Sequence, residues 1–359
     1  MRLSFILLAC ATLGVGTSSL AYQFPTPEDP RARAVIERVG MDTARLDALL
    51  AFPKPAAQAW PCEAPIAYLY QPAGVMDAVP PEQIPAEVKA QLEEGKRMMR
   101  KTFRGNGMDP SAALVTTSSD IELIPIKAQC KNGKLDGAIE YYIGFRQVME
   151  SNMETFSTLT NKLEKNRSVL TSTAQMHITQ SYQDGKPTPG IRSARRGTLT
   201  NSSIFENPSI QKHHDEMLSK TGMLNRATPQ KSVTFGNDQA VATFSLSEEP
   251  KVTGGVFGIN TEWKTKLLSM IMLITPPVNV SYMYSDNQPL SVMRQNKETG
   301  NSESTTYMEN FLKKMGKKPG DTPGTDHYRE MVVGGRDVLE MRTCIVDFKP
   351  AKMDPCPVE

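Results

Sequence analysis

The sequence predicts a mainly β fold, a β-rich α+β chain built as an antiparallel meander with a proline-rich N-terminal arm and a few short helices. Three observations carry this. Apolar segments beyond Ala112 are short and rich in β-branched and aromatic residues. Tight-turn pairs such as Asn132-Gly133, Asp136-Gly137 and Asp184-Gly185 separate them. Upstream, eleven prolines between Tyr22 and Pro85 break the chain repeatedly. Proline fixes φ and removes a backbone donor, so long elements do not survive there.

The chain opens with Arg2, then an uncharged run from Leu3 to Val15, then Ser19-Leu20-Ala21. A positive start, an apolar run and a small-residue site form a cleavable export signal, so residues 1–21 are read as a signal peptide. The run is too short to cross a bilayer, which takes about 20 apolar residues. The competing reading is a lipoprotein cut before Cys10, after Leu7-Leu8-Ala9, which would anchor the chain through lipid. A periplasmic or secreted location follows from the first reading, a membrane-anchored lipoprotein from the second.

Removing Cys10 leaves Cys62, Cys130, Cys344 and Cys356. An even set in an oxidising compartment suggests disulfides, and four cysteines allow three pairings. Cys344 and Cys356 are close enough to staple the tail, which would leave Cys62 to tie the arm to Cys130. With no C-x-x-C there is no zinc-ribbon or redox motif. The 41 basic and 39 acidic residues nearly cancel, so no strong field favours nucleic acid. The basic clusters at Lys96–Arg104 and Lys313–Lys318 read as solvated helix faces.

Residues 22–110 form the arm and its helices, and residues 111–359 the β-rich domain. Short helices fit at Ala32–Val39 and Thr43–Phe52. A longer one fits at Pro85–Arg104, where acids precede bases in the order that suits the helix dipole, and Gly105 stops it. Short strands fit around 114–117, 121–126, 138–143, 168–171, 176–179, 232–235, 240–246, 279–284 and 337–346. Helices are expected at Ile210–Thr221 and Ser304–Met315. Trp263–Ile274 is apolar on both faces and suits either a central strand buried on both sides or a short core helix.

Two segments can be superposed: Tyr182-Gln-Asp-Gly-Lys-Pro through Gly197 to Phe205, and Tyr284-Ser-Asp-Asn-Gln-Pro through Gly300 to Tyr307. Lys131–Tyr142 repeats the turn and the exit aromatic. These units resemble the strand-turn-strand units of the bacterial MORN-repeat family. The resemblance implies an open β-meander used as scaffold or binding surface, without catalytic residues.

Chemistry is sparse. His213-His214-Asp215-Glu216 is the most reactive-looking cluster, so His213 and His214 are the metal candidates. Adjacent residues point about 100° apart on a helix, which disfavours a shared metal. His177 and His327 are the remaining histidines. G-x-S-x-G, H-E-x-x-H and P-loop signatures are absent, and Gly254–Gly258 reads as a bulge. Nothing calls for a cofactor. The twenty methionines suit core packing or an adaptable surface. The expectation is an exported, non-catalytic cell-envelope binding or scaffold protein with a protein partner. It would be recognised by a sheet face exposing Tyr141, Tyr182 and Tyr284. The alternatives are a secreted hydrolase joining His213 or His214 to His177 or His327, and an immunity or inhibitor protein.

Overall fold

A computed structural model describes Pro30 and residues 41–105, 115–157, 159–220, 222–250, 263–286, 288–309, 329–333, 338–347, 349–351 and 356–358. The signal segment, Cys10, the expected helix at 32–39, the glycine cluster at 254–258, the basic run at 313–318 and His327 lie outside the described residues.

Four α-helices are present among the described residues: α1 (Thr43–Leu50), α2 (Ile66–Tyr70), α3 (Ala86–Gly105) and α4 (Pro208–Lys220). The strands are β1 (Val115–Lys127), β2 (Cys130–Lys131), β3 (Lys134–Leu135), β4 (Gly137–Ser157), β5 (Lys162–Gln183), β6 (Lys186–Phe205), β7 (Ala227–Gly236), β8 (Ala240–Pro250), β9 (Trp263–Leu273), β10 (Val278–Ser285), β11 (Gln288–Asn296), β12 (Ser302–Glu309), β13 (Arg329–Val333), β14 (Val338–Val346) and β15 (Lys349–Pro350).

Thirteen of these strands make one antiparallel sheet in the order β1-β4-β5-β6-β7-β8-β9-β10-β11-β12-β14-β13, with β15 paired to β14; β2 and β3 form a separate hairpin. From β4 to β12 each strand lies beside its neighbour in the chain, as a meander requires. The turns use the residues that positive φ demands: Asn132-Gly133 joins β2 to β3 and Asp184-Gly185 joins β5 to β6, all four with φ between 51° and 79°. Asn237 closes the β7–β8 turn through its side chain, which accepts from the backbone of Gln239 and Ala240 at 2.9 and 2.8 Å.

Three expectations are corrected. The segment from Ser304 is not a helix: Ser302–Glu309 is β12, held on both sides by β11 and β14. Its alternation and its Thr305-Thr306 pair suit a pleat, and two flanking ladders outweigh a weak helical pattern. The strands are also not uniformly short, since β4, β5 and β6 run 21, 22 and 20 residues. β6 and β11 lie within the superposed strand-turn-strand units but outside the segments expected as strands. Third, β9 is a strand, but only one of its faces is buried. Leu267, Ile271 and Leu273 are in the core, while Met270 on the other face is 39% exposed.

Because side chains alternate across a strand, the sheet has two distinct faces. One, face A, carries Tyr141 of β4. The other, face B, carries Tyr142. The arm covers part of both. On face B, α1 lays Leu46 and Leu50 against Tyr142, Ala194, Val233 and Phe244 in a core that continues to Ile271 and Tyr284. Asp42 caps α1, its carboxylate accepting from Arg45 N at 2.7 Å. On face A, Tyr68, Leu69 and Val75 from the α2 region and Val88 of α3 bury Ile139, Tyr141, Ile143, Met176 and Ile178. Each fully buried large apolar side chain stabilises by about 1.5–3 kcal/mol.

Between these halves the arm passes around the β1 edge. Lys54 pairs with Glu122 at 2.6 Å, Gln58 donates to the carbonyl of Pro125, and Asp77 accepts from the backbone and hydroxyl of Ser118. Beyond the crossing, Glu63 N donates to Gly133 O at 3.1 Å, and a Cys62–Cys130 disulfide ties the arm to the β2–β3 hairpin. A second disulfide, Cys344–Cys356, holds the tail to β14.

Two outcomes are expected. The Cys62–Cys130 bridge closes a separation of 68 residues, which chain-entropy reasoning values at about 4 kcal/mol. The Cys62→Ser/Cys130→Ser double variant should therefore lose stability of that order in urea unfolding, whereas a loss under about 1 kcal/mol would show that the arm docks without it. The second concerns Glu87 in α3. The Lys186 ammonium at 2.7 Å and the Tyr68 hydroxyl at 2.5 Å hold its pKa down, from 4.5 to about 2. A depressed carboxylate pKa contributes stability present above pH 4.5 and lost as pH falls toward 2. Glu87→Gln should be less stable than the parent at neutral pH, and the gap should close between pH 4.5 and 2. A gap that does not change with pH refutes the assignment.

Candidate functional site

Away from the arm, no described residue covers face A, and two features sit on it. The first is a trough of about 550 Å³ lined by side chains from β4 through β9. The register explains the convergence. Met176, Arg195, Ser232, Ser245 and Leu268 occupy one cross-strand row, and Ser172, Leu199 and Thr228 another. Leu170 and Met149 continue the apolar wall. Hydroxyl-bearing residues dominate these rows, and Leu199 stands between Ser172 and Thr228.

Three charged residues line the trough, and of these Lys231 is paired with Asp47 at 3.0 Å while Arg195 has no carboxylate partner among the described residues. Its guanidinium lies over the Phe145 ring, 5.6 Å from the centroid, and Nη2 donates to Ser172 Oγ at 3.3 Å. Its Nε is sealed from solvent and has no hydrogen-bond partner. Burial pulls the guanidinium pKa below its usual value. The trough's carboxylate, Glu248, is engaged elsewhere: it pairs with Arg226 at 2.6 Å, and Arg226 in turn stacks over Trp263 at 3.8 Å.

The second feature is a methionine patch. Met270 of β9 is the direct neighbour of Met283 on β10, and the next row runs Met272, Ser281, Met293. Met270, Met283 and Met293 are 39%, 37% and 37% exposed. The aromatic surface expected from the sequence is not there. Tyr141, Tyr182 and Tyr284 are 0%, 2% and 4% exposed and belong to the two cores. Tyr141 donates to Leu69 O at 3.1 Å, and burial pushes its hydroxyl pKa well up. Tyr141 and Tyr182 sit under the arm on face A, and Tyr284 joins the face B core.

The histidines do not converge. His213 and His214 lie on α4, with His213 exposed and the His214 ring 5.1 Å from Phe205. His177 stands on face B, hydrogen-bonded to Glu140 at 2.7 Å and stacked near Phe52 under the arm. Phe205 pairs with Asn166, eleven residues along β5 from His177, or roughly 35 Å at about 3.3 Å per residue. Among the described residues no group of three or more His, Cys, Asp or Glu side chains is placed to hold a metal ion. A depression along α4 is lined by Gln211, Lys212, Asp215 and Glu216 of that one helix, so no second element meets it. Neither histidine lines it.

The sheet thus defines a mainly β protein with one large antiparallel sheet and two disulfides. No helix among the described residues is long and apolar enough to cross a membrane. Comparison with protein-family models, with curated proteins and with solved structures found no match.

Beside the trough, Gly197 of β6 faces Ala174, and a Cβ built on it would stand 1.8 Å from Thr173 O. Strand glycine here permits the close approach of two backbones. Gly197→Ala should destabilise by about 1–3 kcal/mol in chemical unfolding, and an unchanged midpoint would show that the strands part at no cost.

Proposed function

We propose that this protein is an exported, non-catalytic binding protein of the cell envelope that presents the open part of face A to a partner. The observation that carries the reading is the methionine patch of Met270, Met283 and Met293, exposed beside a trough on a sheet whose other half is covered on both faces. Contiguous exposed apolar surface marks an interaction site, and methionine makes such surfaces adaptable. Export is supported by the signal pattern of residues 1–21 and by two disulfides, which persist in oxidising compartments. A strand-turn-strand scaffold of the MORN type fits the same role, since the tight turn at 184–185 joins the long strands β5 and β6 and that at 132–133 closes the β2–β3 hairpin.

The test is capture from the native envelope extract under oxidising conditions, with the parent and a Met270→Glu/Met283→Glu variant in parallel. The parent should retain a stoichiometric partner, and the variant should lose it at least tenfold with an unchanged melting temperature. A partner held equally by both proteins, or none held by the parent, overturns the reading.

A further inference from the structure

We infer that the trough on face A binds a single-chain amphiphile with an anionic head, a fatty carboxylate, whose head group is met by Arg195. The inference rests on the open-face reading and names the ligand class for that face.

The argument begins with an unmatched charge. A guanidinium carries five donors and stays ionised. Taking such a group out of water is costly unless it is paired. Arg195 has one modest bond, to Ser172, an aromatic face beneath it, and a sealed Nε with no acceptor. Among the described residues no carboxylate pairs with it, and Glu248 is held by Arg226. A bound carboxylate would accept from the Nη end of the guanidinium, the planar fork that arginine presents to carboxylates.

The rest of the site decides against a small inorganic anion. Beyond Arg195, Met149, Leu170, Leu199 and Leu268 offer apolar contact among serine and threonine hydroxyls, and the other charged lining residues, Lys231 and Glu248, are paired with Asp47 and Arg226. Leu268 leads along β9 to Met270 and so to the exposed methionines. The volume of about 550 Å³ falls among small-molecule sites, typically about 300–1,000 Å³. A trough that sets apolar side chains and uncharged hydroxyls beside one arginine without a carboxylate partner is complementary to a ligand with one anionic end and a hydrocarbon body. Unbranched, flexible methionines suit a chain of variable length.

The experiment is calorimetric titration of the full mature protein with dodecanoate below its micelle concentration, alongside methyl dodecanoate and inorganic phosphate. The parent should bind dodecanoate saturably at one site and bind the other two at least tenfold more weakly. Arg195→Met should weaken dodecanoate at least tenfold, to the level of the uncharged ester, with its unfolding midpoint checked by circular dichroism. Leu199→Trp, which keeps the arginine and fills the trough, should abolish binding of both dodecanoate and the ester. Dodecanoate binding unaffected by both substitutions overturns the site, and absence of saturable binding by the parent overturns the ligand class. Inorganic phosphate binding as tightly as dodecanoate would reduce the site to an anion pocket and remove the acyl chain from it. If dodecanoate fails while the methionine-dependent capture holds, only the ligand assignment falls; if both fail, the open-face reading falls with it.

Discussion

The β1 edge is the constraint on which the rest depends. A strand at the end of a sheet presents unpaired N–H and C=O groups, and a long open sheet must protect or cover them. Here the arm does so by crossing the edge instead of pairing along it. Lys54, Gln58 and Asp77 satisfy groups on β1 while the chain passes from face B to face A. Pro125 within β1 removes one donor from that edge. The crossing places α1 on one side of the sheet and the α2–α3 segment on the other. One edge interaction therefore sets which parts of both faces are buried.

The consequence is asymmetric. The sheet near the arm is a sandwich with apolar cores above and below, and the tyrosines that a surface reading would expose are its largest buried groups. Further along, face A runs beyond the reach of the arm. There the residues change to serine, threonine and methionine, which tolerate solvent and contact equally. Face B stays apolar as far as Tyr284. The same strand, β9, shows both regimes: Ile271 is fully buried and Met270, one residue before it, is open.

Arg195 sits at the boundary between the regimes. Its stacking on Phe145 ties it to the arm-covered core, and its guanidinium lies on the trough wall. A half-buried guanidinium without a counter-charge costs desolvation that an apolar side chain would not. A charge kept without a counter-charge is more readily understood through something that the protein meets than through its own packing.

Much of this was legible in the residues themselves. Turn chemistry at 132–133 and 184–185, the arm prolines, the α1, α3 and α4 helices and the antiparallel meander all follow from local preference, because φ limits and capping act within a few residues. The even cysteine set was legible too, but among three possible pairings only proximity in the fold selects Cys62 with Cys130 and Cys344 with Cys356. Local preference failed at Ser302–Glu309 and along β6, where ladders on both sides make strands of polar text. It failed again at the site. Arg195, Leu199 and Leu268 are unremarkable in sequence and carry no motif. They meet because strand register places residues far apart in the chain in adjoining rows, and register is settled by which face finds cover. The sequence determined the turns and most of the elements, because those preferences are local; only the tertiary structure decided which tyrosines were core, which methionines were surface, and that Arg195 has no counter-charge among the described residues.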